Sequence, residues 1–427
     1  MSLLPSARAD APAPTRPPRL PAAGRRRLLA FVTVLLLGGL TTGVNLRGWA
    51  RSADDPSAAR DATPAATTAN SDRWGELKVT PIVISPPAEY IPIEAYEPVQ
   101  PRWHFPKTTM DGLARVLESV GLGADDVARL TATAQAAPAI EGVVVSPPTD
   151  LIRGMTPDVR GRLYLLLGRS PLNFAQQSAF RFYGQSLDEW LGPDLSPKTR
   201  ALIEPLVYRS GDFMFFADLE LIRGQIGGGP ELQHLVKRLL SQATALVTLR
   251  INDPTKLDEL VEYWGRGGRK TDIRPLLESI VDGGPGYAID ITHLLPEMAR
   301  RLLYRYPKVS LEDLSKPQLA NCFWTALNFF NDEPDDSLLD PARALQRLKQ
   351  GYFIVHDDLQ LGDIVAFSDR NLNVFHVAVY IADDLVFTKN GFFSLAPWTI
   401  IPMERLKGHF AEHLDDWNVS YYRRKDL

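Results

Sequence analysis

Cys322 is the only cysteine among 427 residues, and it sits in the run Leu-Ala-Asn-Cys-Phe-Trp-Thr-Ala-Leu-Asn-Phe-Phe. Further along, His376 opens the run His-Val-Ala-Val-Tyr-Ile. A thiol and an imidazole in that order suit nucleophilic acyl chemistry. The imidazole takes the thiol proton, the thiolate attacks a carbonyl carbon, and backbone N–H groups hold the oxyanion. With no second cysteine there is no internal disulfide and no cysteine-based metal cluster. The thiol therefore serves either packing or chemistry.

The elements that must position these groups are legible from pattern. Ser315-Lys316-Pro317 suits the opening of a helix whose one face is Phe323, Ala326, Leu327 and Phe330, with Cys322 in its first turn. There the positive end of the helix dipole favours a thiolate. Leu361-Gly362-Asp363-Ile364-Val365-Ala366-Phe367 reads as a turn feeding a strand, and Val374 to Ile381 alternates. Phe375, Val377, Val379 and Ile381 form its apolar side; His376, Ala378 and Tyr380 face the other way. A third residue should orient the imidazole, and the next strand, Leu385 to Gly391, offers Thr388, Lys389 and Asn390. A three-residue loop, Ala382-Asp383-Asp384, keeps Leu385 and Phe387 on the apolar side and places Thr388 and Asn390 on the face of His376. A two-residue turn would put Lys389 there instead, against the hydrophobic pattern. Asn390 is the expected third residue and Thr388 the reserve. Gln318, four residues before the cysteine, is a further candidate donor to the oxyanion. The histidines at 104, 234, 293, 356, 409 and 413 show no metal-ligand spacing, so no metal and no cofactor is expected.

Over roughly residues 315 to 425 these segments resemble the NlpC-type cell-wall cysteine peptidases, a bacterial branch of the papain-like fold. That family shows Asp-Cys-Ser-Gly at the nucleophile, Gly-Asp before a strand, and His-Val-Gly-Ile-Tyr followed by a third polar residue. Here Asn321 and Phe323 flank the cysteine and Ala378 takes the place of the glycine. The resemblance implies Cys322 as nucleophile, His376 as base and Asn390 or Thr388 as orienting group. It implies a cysteine peptidase or amidase cleaving an amide bond, with peptidoglycan stem peptides as the family's substrate. Two alternatives stay open: a catalytically inactive NlpC-like binding module, and a lipid or ester acyl hydrolase or acyltransferase on the same fold.

The rest of the chain speaks of location and architecture. Arg8, Arg16, Arg19, Arg25, Arg26 and Arg27 form a basic tail, residues 1–27, before the apolar stretch Leu28 to Val44. This is an export signal or a membrane anchor; no small-x-small cleavage site follows Val44, which favours the anchor. Charge before the stretch places the tail in the cytoplasm and the remainder outside, in the periplasm or beyond the cell. Residues 45–107 read as a Pro/Ala-rich tether, with prolines at 81, 86, 87, 92, 98, 101 and 106, whose apolar residues should lie against the folded body. Residues 108–307 read as an all-α domain. Its expected helices include Pro157–Leu167, Pro197–Tyr208, Lys256–Trp264 and Leu294–Tyr306, and a helix from Pro230 bearing Leu232, Leu235, Val236 and Leu239 on one face. Gly227-Gly228-Gly229-Pro230 lacks the lysine and hydroxyl of a phosphate loop. Residues 308–427 complete the expectation of an α+β protein with a C-terminal helix packed on an antiparallel sheet. A net charge of −4 with 23% charged and 45% hydrophobic residues suits a globular chain with no basic surplus for nucleic acid.

Overall fold

The computed structural model describes residues 67–71, 73–90, 101–184, 186–226, 229–308, 320–389, 396–411 and 417–427. The chain divides into two compact units, Met1–Thr42 and Gly43–Leu427, and every described residue belongs to the second. The apolar stretch 28–44 lies outside the described residues, as do Gln318 and Asn390. Among the described residues no helix is long and apolar enough to cross a membrane.

Within the stretch expected to be a tether, the first described residues form a hairpin, β1 (Thr67–Ser71) and β2 (Gly75–Ile84). Only its first half pairs with β1, whose last partner is Val79. After β3 (Trp103–Pro106), the helices α1 (Met110–Ser119) and α2 (Ala124–Ala132) lead to β4 (Ala134–Ala136) and β5 (Gly142–Val145), which form a three-stranded sheet with β3. Thr109 caps α1 by accepting the Gly112 N–H at 3.1 Å. Helix α3 (Pro157–Leu167) starts where the sequence places it, with proline in the first turn behind the capping Thr156. A second three-stranded sheet follows, of β6 (Phe180–Tyr183), β7 (Tyr208–Ser210) and β8 (Phe213–Phe216), with β8 at its centre. Helix α4 (Gly229–Leu239) buries Leu232, Leu235, Val236 and Leu239. The next strand, β9 (Gln242–Arg250), then runs antiparallel to β2 from Glu76↔Arg250 to Ile84↔Gln242, and the short β10 (Ile289–Asp290) pairs beyond it. Between them lie α5 (Leu257–Trp264) and α6 (Lys270–Asp282).

Residues 108–307 are therefore not all-α. Apart from β9, the strands missed by helical spacing are short. A four-residue apolar run such as Phe-Met-Phe-Phe carries no period that separates strand from helix. In β9 the inward set Ala245, Val247 and Leu249 alternates, as a half-buried strand requires. Two expected helices are shorter than their patterns. The one from Pro197 ends at Ile203, ahead of Pro205 and the strand from Tyr208. The one in 294–306 spans only Glu297–Leu302. There Tyr304 adopts φ 63 and its N–H donates to the Trp398 carbonyl at 2.9 Å, so the chain leaves the helix to join a sheet strand.

The C-terminal part holds α7 (Cys322–Leu327), α8 (Pro341–Gly351), the strands β11 (Tyr352–Val355), β12 (Ile364–Asp369), β13 (Val374–Ala382), β14 (Leu385–Lys389) and β15 (Trp398–Pro402), helix α9 (Met403–Ala411) and β16 (Trp417–Arg424). The six strands form one antiparallel sheet in the order β11-β16-β12-β13-β14-β15. Its middle strands are buried on both sides, and alternation sorts their side chains. Ile364, Ala366, Val377, Val379, Ile381, Leu385, Phe387 and Ile400 enter the large core with Cys322, Ala326 and Leu327 of α7. Val365, Phe367, Ala378, Tyr380, Val386 and Ile401 pack with Met403 and Leu406 of α9.

The large core does not stop at the boundary expected at 307/308. Leu77, Val247 and Leu249, with Trp264, Leu277 and Met298, belong to the same buried cluster as Cys322 and the sheet. Tyr263 OH donates to the Ile381 carbonyl at 2.6 Å and Thr244 Oγ1 to the Ile400 carbonyl at 2.8 Å. Tyr263→Phe should lower the stability of the whole unit by about 1 kcal/mol, because a buried carbonyl loses its donor. Urea unfolding should show one cooperative transition moving to lower midpoint; two transitions, with only the earlier one moved, would show that the two parts unfold separately.

Candidate active site

Cys322 begins α7. Asn321 precedes it in extended conformation and caps the helix, its Oδ1 accepting the Trp324 N–H at 3.0 Å. The thiol is buried, 6% exposed. Burial raises its pKa, opposed by the backbone N–H groups of Val377, Phe323 and Cys322 itself and by the charge of Lys389.

The hairpin that faces α7 resolves the turn question in an unexpected way. Val379 pairs with Phe387 and Tyr380 with Val386, but Ala382 pairs with Leu385, so an irregularity lies between Tyr380 and Ala382. Ala382 is thus in the strand and the tip is Asp383-Asp384, with Asp383 at φ 52. One extra residue in β13 absorbs the difference, so Leu385 and Phe387 stay on the apolar side despite the two-residue tip.

His376 lies on the other side of the sheet. It pairs with Phe367, and its ring sits 5.9 Å from that of Phe367, within the layer covered by α9. Its Nε2 is 3.0 Å from Thr388 Oγ1. Thr388, the reserve candidate, therefore meets the imidazole; Asn390 lies outside the described residues. Burial drives the His376 pKa down to about 3, so the ring is neutral at physiological pH. Val377, Val379 and Ile381 of β13 enter the core with Cys322, whereas His376 shares the opposite layer with Phe375, which the alternation placed on the apolar side but an irregularity in the β12–β13 pairing turns over. The pairing of Cys322 with His376 expected from the sequence is thus at odds with the face that the cysteine helix covers.

What shares the face of Cys322 is Lys389. It has the parity of Leu385 and Phe387, is 1% exposed, and pairs in register with Trp398. Its Nζ donates to the Ala396 carbonyl at 2.7 Å and lies 4.9 Å from the centre of the Trp398 ring. Trp398 Nε1 in turn donates to Thr325 Oγ1 at 2.9 Å, one helical turn after Cys322. Trp398 thus ties the lysine to the cysteine helix. Burial lowers the Lys389 pKa to about 7, against the opposing effect of Cys322. A lysine in the apolar parity of a buried strand is a signal readable in the sequence, since Leu385, Phe387 and Lys389 share one side.

The depressed His376 pKa has a direct consequence. Below about pH 6.5 the unfolded imidazole takes a proton that the folded one refuses down to about pH 3. Stability should therefore fall as the pH drops through that window, and His376→Gln should flatten the slope. Unfolding free energies measured across pH 4 to 7 check this; equal slopes in both proteins would contradict it.

Among the described residues no group of histidine, cysteine, aspartate or glutamate could hold a metal ion. No family model, no curated protein and no solved structure matches this chain.

Proposed function

We propose that the C-terminal part is an amide-cleaving thiol hydrolase on an NlpC-like, papain-like fold, with Cys322 as nucleophile and Lys389 as the group that receives its proton. The observation that carries this is the buried Lys389 on the cysteine's face of the sheet, held there by Trp398. A buried lysine is costly to a fold, and one poised near neutrality beside a thiol is suited to general base work. The cysteine at the start of a helix laid on an antiparallel sheet, and the order of Cys322, the Gly362-Asp363 turn and His376, support the NlpC-like reading.

In the proposed reaction the neutral Lys389 amine accepts the Cys322 proton as sulfur attacks the amide carbon. The resulting ammonium returns the proton to the leaving amine. Water then cleaves the thioester, releasing the acid and the free thiol. Peptidoglycan stem peptides are the substrate class to try first. The basic tail and apolar stretch at the N-terminus support action outside the cytoplasmic membrane, on an anchored protein. His376 and Thr388 hold β13 to β14 and take no part.

A binding module with an inert thiol is the second reading, favoured by the burial of Cys322. Incubating the full chain with purified wall peptides and with lipid esters, then following new amines and free acids by mass spectrometry, tests both. Amine release abolished by Cys322→Ser supports the hydrolase. No release from either substrate, with a thiol that resists alkylation in the folded protein, supports the module.

A further inference from the structure

We propose that the outer edge of β11 is a self-association surface, on which a second copy of this chain lays its own β11 antiparallel and continues the sheet across the junction. The two ends of the six-stranded sheet differ in how their backbone groups are used. At β15, the Trp398 carbonyl accepts the Tyr304 N–H at 2.9 Å and the Trp398 N–H donates to the Arg305 carbonyl at 3.2 Å. Thr244 Oγ1 donates to the Ile400 carbonyl at 2.8 Å and accepts the Ile400 N–H at 3.2 Å. The chain thus covers that edge itself. At the other end β11 pairs with β16, and among the described residues no strand lies beyond it. Tyr-Phe-Ile-Val carries no lysine, proline or bulge, the devices that keep an edge strand from pairing. Phe353 is 46% exposed and Ile354 56%, one on each face of the sheet.

The backbone phase sets the register. The Lys425 N–H donates to the Gly351 carbonyl at 3.0 Å and Tyr352 pairs with Arg424, so antiparallel alternation turns the N–H and C=O of Ile354 away from β16. Two copies related by a two-fold axis normal to the sheet keep their faces, so residues of equal parity meet. An axis through Phe353 sets Ile354 of one copy against Tyr352 of the other as a hydrogen-bonded pair. It sets Phe353 against Phe353, at a position where facing side chains come closest. The same register brings Lys349, in the last turn of α8, toward Asp357 of the second copy, and both residues are exposed. Charge runs from positive to negative along this edge, a polarity that an antiparallel copy complements and a parallel one does not. So short a strand buries little area, and the expected dissociation constant is on the order of 10 µM.

The test is sedimentation velocity of the full chain in detergent, over concentrations that bracket this value. A monomer–dimer equilibrium is expected. Ile354→Pro removes the outward N–H and spares the ladder to β16, and it should weaken dimerisation at least tenfold. Lys349→Glu and Asp357→Lys should each weaken it several-fold, and the double variant should regain the parent's affinity, a restoration that misfolding does not give. Phe353→Cys, oxidised with copper phenanthroline in air, should cross-link to its own copy faster than Val355→Cys, because only position 353 lies on the axis. A monomer at every concentration overturns the proposal. So does a dimer whose affinity is unchanged in Ile354→Pro and in both charge variants, which would place the contact elsewhere, such as the apolar stretch 28–44. A monomer whose Ile354 amide resists hydrogen exchange also overturns it, by showing a segment of the same chain on the edge.

Discussion

Lys389→Met is expected to lower amide hydrolysis by at least about 100-fold while leaving the fold intact, the magnitude usual for removing a general base. Methionine keeps the apolar stem against Trp398 and removes only the amine. The pH profile separates a proton acceptor from a packing residue. In the parent protein the rate should rise as pH climbs through about 7, where the buried ammonium loses its proton and becomes a base. In the variant that limb should vanish, leaving a rise only at the higher pH where the thiol, whose pKa burial raises, ionises by itself. Lys389→Arg should not rescue activity, because a guanidinium stays charged. His376→Gln should leave both rate and profile nearly unchanged, since the sheet stands between that ring and the thiol.

The second large effect concerns stability. Asp218→Ala should destabilise the protein by about 3–5 kcal/mol, because it strands a buried charge. Arg160 is fully buried and donates to Asp218 Oδ2 at 2.8 Å and to the Ile152 carbonyl at 2.6 Å. Tyr164 OH donates to Asp218 Oδ1 at 2.7 Å. Burial raises the Asp218 pKa, with Arg160 and the Tyr164 hydrogen bond opposing. Losing the carboxylate leaves a guanidinium with no counter-charge and a tyrosine hydroxyl with no acceptor. Asp218→Asn, which keeps an acceptor, should cost less. An unfolding free energy from urea titration for Asp218→Ala within about 1 kcal/mol of the parent contradicts a structural role for this triad.

How far the sequence could be read depended on the range of the interaction that decides each feature. Helix α3 is legible because Thr156 and Pro157 state its start locally, and α4 because Leu232, Leu235, Val236 and Leu239 form one helical face. The strand β9 is not, since Thr244, Ala245 and Thr248 dilute its apolar alternation and its partner β2 lies far away in sequence. Side-chain parity in β13 and β14 was legible for Val377, Val379, Leu385 and Phe387, which lie together as expected, but not for Phe375, which an irregularity in the β12–β13 pairing turns to the other layer. The irregularity beside Tyr380 was not, because an extra residue in a strand leaves no local mark. The decisive gap was which face α7 would cover. Nothing in Asn-Cys-Phe-Trp or in His-Val-Ala-Val says whether the cysteine helix lies over the odd or the even residues of β13. That choice rests on Trp398, Thr325 and the shared core from Leu77 to Leu303.

The most direct test of a Cys322–Lys389 pair is the pH dependence of Cys322 alkylation, followed by mass spectrometry on the full chain. A lone cysteine makes the label unambiguous. Lys389→Met should slow labelling near neutral pH and move the profile to higher pH, whereas His376→Gln should leave it where it is. The reverse outcome, a profile displaced by His376→Gln and untouched by Lys389→Met, would contradict the assignment and restore the imidazole as the partner of the thiol.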